Sequence, residues 1–225
     1  MGTSVNSPSI AGSAIGIPAS CRTNHPVKRT LDVTGAVLGI LFLSPLLLVV
    51  AALVKLTDGG SIFYGHKRVG RYGREFRCWK FRTMVQNGDE VLERHLAENP
   101  EARQEWLATR KLQNDPRVTR VGAVLRKLSL DELPQLLNIV TGEMSIVGPR
   151  PVVADELRYY GSHAHCYLRA RPGLTGLWQV SGRNDVSYDA RVAFDRHYVE
   201  NWTFVSDLSI IARTIPAVCL SRGSY

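Results

Sequence analysis

Leu31-Asp32-Val33-Thr34-Gly35-Ala36-Val37-Leu38-Gly39-Ile40-Leu41-Phe42-Leu43-Ser44-Pro45-Leu46-Leu47-Leu48-Val49-Val50-Ala51-Ala52-Leu53-Val54-Lys55-Leu56 is the stretch on which the fold turns. Between Val33 and Val54 it carries no charged residue, and about 20 apolar residues suffice to cover a hydrocarbon core. A membrane segment is therefore expected, the alternative being a buried helix of a soluble domain. Ser44-Pro45 stands at its middle. Proline removes a backbone hydrogen bond there, and the Ser44 hydroxyl can satisfy the freed carbonyl, so a sharp central bend is expected. A helix bent at mid-depth can return to the side from which it came. Lys28 and Arg29 before it and Lys55 near its end suit two cytoplasmic ends. A kinked single span would look much the same.

Outside this segment the chain is basic. Lys and Arg number 28 against 20 Asp and Glu, a net charge of +8, which favours polyanionic partners: nucleic acid, phosphorylated small molecules or an anionic membrane surface. Four scattered cysteines, with no C-x-x-C pair and no zinc spacing around His163 or His165, point to a reduced environment with idle or buried thiols. Residues 1 to 24 are rich in Ser, Gly, Ala and Pro, and read as a disordered tail without the features of a secretory signal.

Ser61 to Thr83 reads as a β-hairpin turning at Gly70-Arg71-Tyr72-Gly73. Its cations, among them Lys67, Arg68, Arg71, Arg74, Arg77, Lys80 and Arg82, interleave with aromatics as on a nucleic-acid face. Next to a membrane segment, lipid headgroups and substrate phosphates explain the same pattern better. Two surface helices follow, Asp89 to Glu98 and Pro100 to Leu112, with Val91, Leu92, Leu96, Trp106 and Leu107 turned inward.

Chemistry concentrates in Arg126-Lys127-Leu128-Ser129-Leu130-Asp131-Glu132-Leu133-Pro134. Ser129 and Glu132 match a capping box. Pro134 argues against Ser129 as the cap, because it would then fall inside the helix; counted from Asp131 it falls in the first turn, where its missing N–H costs nothing. A helix starting near Asp131 keeps that carboxylate ionised and attracts phosphate. Such an aspartate can be a cap, a metal ligand or a nucleophile. Leu133, Leu136, Leu137 and Ile139 should bury the helix that follows. Beyond it come a stiff Pro149-Arg150-Pro151 loop, whose fixed backbone suits anion binding, and a glycine-rich cationic run from Arg171 to Asn184. Tyr188 to Tyr198 and Ser206 to Leu220 read as helices, with aromatics suited to a membrane interface.

Taken together, the Ser44-Pro45 segment, Lys80-Phe81-Arg82-Thr83-Met84, Ser129-Leu130-Asp131-Glu132-Leu133-Pro134-Gln135, Gly148-Pro149-Arg150-Pro151, Arg171-Pro172-Gly173 and Gly182-Arg183-Asn184 resemble the bacterial sugar transferase family. These are small monotopic polyprenyl-phosphate phosphoglycosyl transferases. The resemblance covers about residues 26 to 220, and it looks closest to the short members that begin exopolysaccharide synthesis with galactose or glucose 1-phosphate. The extra multi-span N-terminal region of longer members is expected to be missing.

The resemblance implies a helix-rich α/β fold: a tail over residues 1 to 26, a re-entrant helix-break-helix hairpin over 27 to 57, and a cytosolic catalytic domain over 58 to 225 with a small β-hairpin and interfacial amphipathic helices. It implies location on the cytoplasmic face of a bacterial inner membrane. It also implies transfer of a hexose 1-phosphate from a UDP-sugar to undecaprenyl phosphate, with release of UMP. Asp131 would be the nucleophile and Glu132 would help to hold Mg²⁺. Arg126, Arg150 and Arg183, with Lys80 and Arg82, would bind phosphate. Anionic lipids are expected partners, nucleic acid is not, and apolar surfaces near both termini leave room for a homodimer. Two competing readings are a metal-dependent hydrolase of a nucleotide sugar or lipid diphosphate, and a membrane-tethered module binding nucleic acid or a signalling partner.

Overall fold

The computed structural model describes Thr23, residues 25–181 and residues 187–219. The expected tail lies almost wholly outside the described residues. The apolar segment forms helix α1, Pro26–Asp58, which starts with a proline in its first turn and ends at Gly59 in the left-handed conformation. It is one continuous helix; the break expected at Ser44-Pro45 does not divide it into two. Pro45 cannot donate to the carbonyl of Leu41, and the Ser44 hydroxyl donates to that same oxygen at 2.8 Å, so the helix loses no acceptor partner.

One stripe of α1 faces the rest of the protein at helical spacing: Lys28, Asp32, Ala36, Ile40, Leu43, Leu47, Val50 and Val54. The opposite face, with Leu38, Leu41, Phe42, Leu48, Val49, Leu53 and Leu56, is apolar and exposed. A soluble core helix would hide that face. Its exposure over a helix about 50 Å long is what a bilayer would cover. Lys28 and Arg29, expected as cations flanking a membrane segment, turn inward instead. Lys28 Nζ donates to Asp207 Oδ2 at 2.6 Å and to the Val147 carbonyl at 3.1 Å, while Arg29 donates to the carbonyls of Ile139 and Val140.

The hairpin forms as expected: β1, Phe63–Val69, pairs antiparallel with β2, Glu75–Phe81, in a register running from Phe63 opposite Phe81 to Val69 opposite Glu75. Helices α2, Gly88–Glu98, and α3, Pro100–Thr109, pack on each other. They bury no residue fully, and Leu107, expected inward, points to solvent. Helix α4, Arg120–Lys127, is capped by the Thr119 hydroxyl, which accepts the Gly122 N–H at 2.9 Å. Helix α5, Gln135–Thr141, ends at Gly142 with φ of 92°. Strand β3, Ser145–Val147, pairs in parallel with β4, Gly173–Thr175. Between them lie a 3-10 stretch over Ala154–His163 and helix α6, Ala164–Arg169. Helices α7, Tyr188–Glu200, and α8, Phe204–Cys219, close the fold.

The face of α5 differs from the expected one. Leu136 and Ile139 are buried, but Leu137 is 47% exposed and Gln135 and Asn138 take the inward positions. Helix α5 begins four residues after Asp131, and its inward face meets Phe76 and Cys78 of β2 and Ala36 of α1.

Candidate active site

Three elements converge on the acidic pair. After α4, Ser129 adopts a left-handed conformation with φ of 55°, and Leu130–Glu132 forms a single 3-10 turn before Pro134 and α5. The chain reverses here and presents Asp131 and Glu132 together toward β2. Lys80 of β2 comes to both: its Nζ donates to Glu132 Oε1 at 2.5 Å and lies 3.8 Å from Asp131 Oδ2. The capping box does not form, since Ser129 makes no cap hydrogen bond and Glu132 is spent on Lys80. Nor does Asp131 cap α5; Pro134 occupies that position.

The two acids differ in character. Asp131 is 8% exposed, and burial, with the Glu132 charge beside it, pushes its carboxyl up to about 6 against the pull of Lys80 and Arg126. Burial also opposes ionisation of Glu132, but the Lys80 ammonium bonded to it, with Arg150 and Arg68 beyond, holds it below the usual carboxylate range. At neutral pH both are anions and one cation stands between them. A partly desolvated carboxylate is a better nucleophile than a hydrated one, because less solvent must be stripped from it before it attacks.

Cations surround this pair. Arg126 on α4 donates its Nε–H to the Thr83 hydroxyl at 2.9 Å and faces the Asp131 charge. Arg150 extends from between its two prolines into solvent with its guanidinium 5.5 Å from the centre of the Trp178 ring, and Arg191 lies 4.7 Å from the same ring. Arg82 does not join them: it pairs with Asp58 at the end of α1 and so clasps the membrane helix to β2. Arg183 lies outside the described residues.

Sequence reasoning missed several contributors. Arg68, in the sequence one hairpin cation among several, brings its charge to bear on Glu132 while it pairs with Glu156 at 3.3 Å. Trp178, buried under Arg150, and Asp195, which bonds the Arg150 backbone N–H and accepts the Tyr160 hydroxyl at 2.7 Å, hold the arginine loop from behind. Asn138 is a further contributor, one polar residue in an apolar helix. That interruption of Leu136-Leu137-Asn138-Ile139-Val140 was the available signal.

With this geometry in hand, comparison with known proteins is decisive. Residues 23–221 match the family model described as bacterial sugar transferase. The chain belongs to the bacterial sugar transferase family. Among its relatives is the exopolysaccharide production protein ExoY of Sinorhizobium fredii, 64% identical over 219 residues that make up 96% of this chain and 97% of that one. The undecaprenyl-phosphate galactose phosphotransferase of Salmonella typhimurium is 52% identical over 91% of this chain and 43% of its own length. The UDP-glucose:undecaprenyl-phosphate glucose-1-phosphate transferase of Escherichia coli is 36% identical over 90% and 42%, respectively.

For a bacterial sugar transferase the donor set also bears on the metal. Among the described residues no group of three or more His, Cys, Asp or Glu side chains is arranged to hold an ion. Mg²⁺ would need no such cage, since it binds through one or two carboxylates and completes its shell with substrate phosphates and water. Glu132, whose side chain is 37% exposed, is the accessible member of the pair.

Proposed function

We propose that this protein transfers a hexose 1-phosphate, galactose or glucose, from a UDP-sugar to undecaprenyl phosphate and releases UMP, the first membrane step of building an exopolysaccharide repeat unit. The observation that carries the reading is the Lys80-bridged Asp131–Glu132 pair, set among Arg126, Arg150 and Arg68, in a chain of this family.

In the first half-reaction an Asp131 carboxylate oxygen attacks the phosphorus that bears the sugar. The bond from that phosphorus to the bridging oxygen breaks, UMP departs with the electron pair, and the sugar phosphate is held on Asp131 as an acyl phosphate. In the second, an oxygen of undecaprenyl phosphate attacks the same phosphorus and displaces the carboxylate. Covalent catalysis divides one difficult displacement into two. Lys80 favours the ionised form of Asp131 against the effect of burial, and Arg126 and Arg150 meet the charge that builds on the phosphoryl oxygens. Glu132 would hold Mg²⁺ with the donor diphosphate; when bound, the ion supplies charge neutralisation to the diphosphate and the leaving UMP.

Residues 58 to 225 carry this chemistry, and residues 27 to 57 serve as the membrane element. Both ends of α1 are fastened to one polar domain, through Lys28 and Arg29 at its start and through Val50, Val54 and the Asp58–Arg82 pair at its end. This supports a re-entrant arrangement on the cytoplasmic face, in which α1 would have to bend at Ser44-Pro45 without losing its helical continuity, enter one leaflet and return both ends to the same side, with anionic headgroups meeting the exposed Lys67, Arg74 and Arg77 of the hairpin. The test is UMP release from a panel of UDP-sugars, with and without undecaprenyl phosphate. Continuous turnover only with the lipid supports the transferase; turnover that continues without lipid would make the protein a hydrolase.

A further inference from the structure

Asn138 is fully buried in the middle of α5, where an unbonded amide would cost a few kcal/mol. It is satisfied from an unusual source. Its Oδ1 accepts the Trp79 backbone N–H at 3.0 Å, and its Nδ2 donates to the Arg77 carbonyl at 2.8 Å and to the Glu143 carboxylate at 2.6 Å. The amide therefore pairs with β2 as the backbone of a third strand would, along the edge that β1 leaves open. Glu143 fixes its orientation, because the nitrogen faces acceptors on both sides; the same carboxylate oxygen is held by the Thr141 hydroxyl at 3.1 Å.

The location of these bonds matters more than their number. Residue 79 immediately precedes Lys80, and α5 continues directly from the turn that bears Asp131 and Glu132. Beside these bonds Leu136 and Ile139 of α5 pack with Phe76 and Cys78 of β2, and apolar packing does not by itself fix register. A slip of one residue in β2 would send Lys80 to the opposite face of the strand and remove the one cation that stands between the two carboxylates.

We propose that Asn138 is a positioning residue of the reaction: by locking β2 to α5 at Arg77 and Trp79, it sets the Lys80 ammonium against Asp131 and Glu132. This rests on the reading of those three residues as the reaction centre. A double-mutant cycle tests it on the full-length protein in lipid nanodiscs, with UMP release measured at enzyme concentrations that make the Lys80→Ala rate measurable. Asn138→Ala should lower kcat by about 10- to 100-fold with a smaller change in donor KM, as expected for a misplaced catalytic contact. In the Lys80→Ala background the same substitution should change kcat by less than about threefold, since the group it positions is already gone.

A loss of equal size in both backgrounds would overturn the positioning role and leave Asn138 a structural residue. Full activity in Lys80→Ala alone would instead remove the reading of the centre and this inference with it. Should Asn138→Ala not fold, Asn138→Asp combined with Glu143→Gln keeps the acceptor for Trp79, reverses the bond to residue 143 and removes only the donor to the Arg77 carbonyl, so that one of the two bonds to β2 is broken. The same cycle is then read with that pair, and the same two results decide it.

Discussion

Replacing Lys28 by methionine keeps the aliphatic stem packed and removes only the ammonium. In the folded protein that ammonium is 6% exposed and donates to Asp207 Oδ2 and the Val147 carbonyl. Asp207 also accepts the Tyr198 hydroxyl at 2.7 Å and the Trp202 indole N–H at 3.0 Å, so its carboxylate would stay bonded but lose its cation inside the protein. Removing one member of a buried pair costs about 3–5 kcal/mol. In a chain of this size each kcal/mol moves the thermal midpoint by about 2–4 °C, so Lys28→Met should lower it by roughly 6–20 °C. Arg196→Met is the matched control: it breaks an exposed i,i+4 pair with Glu200 at 2.8 Å, which solvent screens. Tryptophan emission during heating in detergent is a suitable readout, because Trp202 bonds Asp207 directly. If Lys28→Met cost no more than Arg196→Met, the claim that this cluster fastens α1 to the catalytic domain would be wrong.

Gly122→Ala should destabilise the protein by about 1–3 kcal/mol and reduce UMP release, because a Cβ there would fall 2.1 Å from the Thr83 carbonyl oxygen, a backbone atom that cannot rotate away. Chemical denaturation and turnover of the variant check this, and an unchanged denaturation midpoint would contradict it. Asp195 gives a pH prediction: burial pushes its carboxyl up to about 7, so the folded protein holds a proton that the unfolded chain gives up near its ordinary value of about 4. Its contribution to stability is complete below about pH 4 and is lost as pH rises to about 7. Measured against wild type, Asp195→Asn should therefore gain relative stability across that window and no more above it, and parallel pH curves for the two proteins would refute the assignment.

Much of this arrangement was legible in the sequence because it depends on neighbours in the chain. The apolar run of α1, the serine placed to cover the carbonyl that Pro45 orphans, the hairpin and the paired acids all carry local signatures. What could not be read depends on residues distant in sequence. Lys28 looks like a membrane-flanking cation until Asp207, 179 positions away, is found bonded to it. Arg82 looks like a phosphate ligand until the end of α1 brings Asp58 against it. Leu137 and Asn138 are adjacent in one helix, and hydrophobicity alone assigns them to the wrong faces. The amide goes inward because an unpaired edge of β2 supplies it with both an N–H and a carbonyl. Pro134 already argues locally against Ser129 as a helix cap; what the sequence does not show is that Glu132 goes to Lys80, 52 positions away.

The central claim is that Asp131 carries the sugar phosphate between donor and lipid. Incubating the protein with a UDP-sugar labelled in the phosphate next to the sugar, without undecaprenyl phosphate, should leave label covalently attached to the chain and release UMP in matching amount. Addition of the lipid should then discharge it. Asp131→Asn should show no attachment, while Asn138→Ala should still be labelled, more slowly. Undiminished labelling of Asp131→Asn would contradict the account.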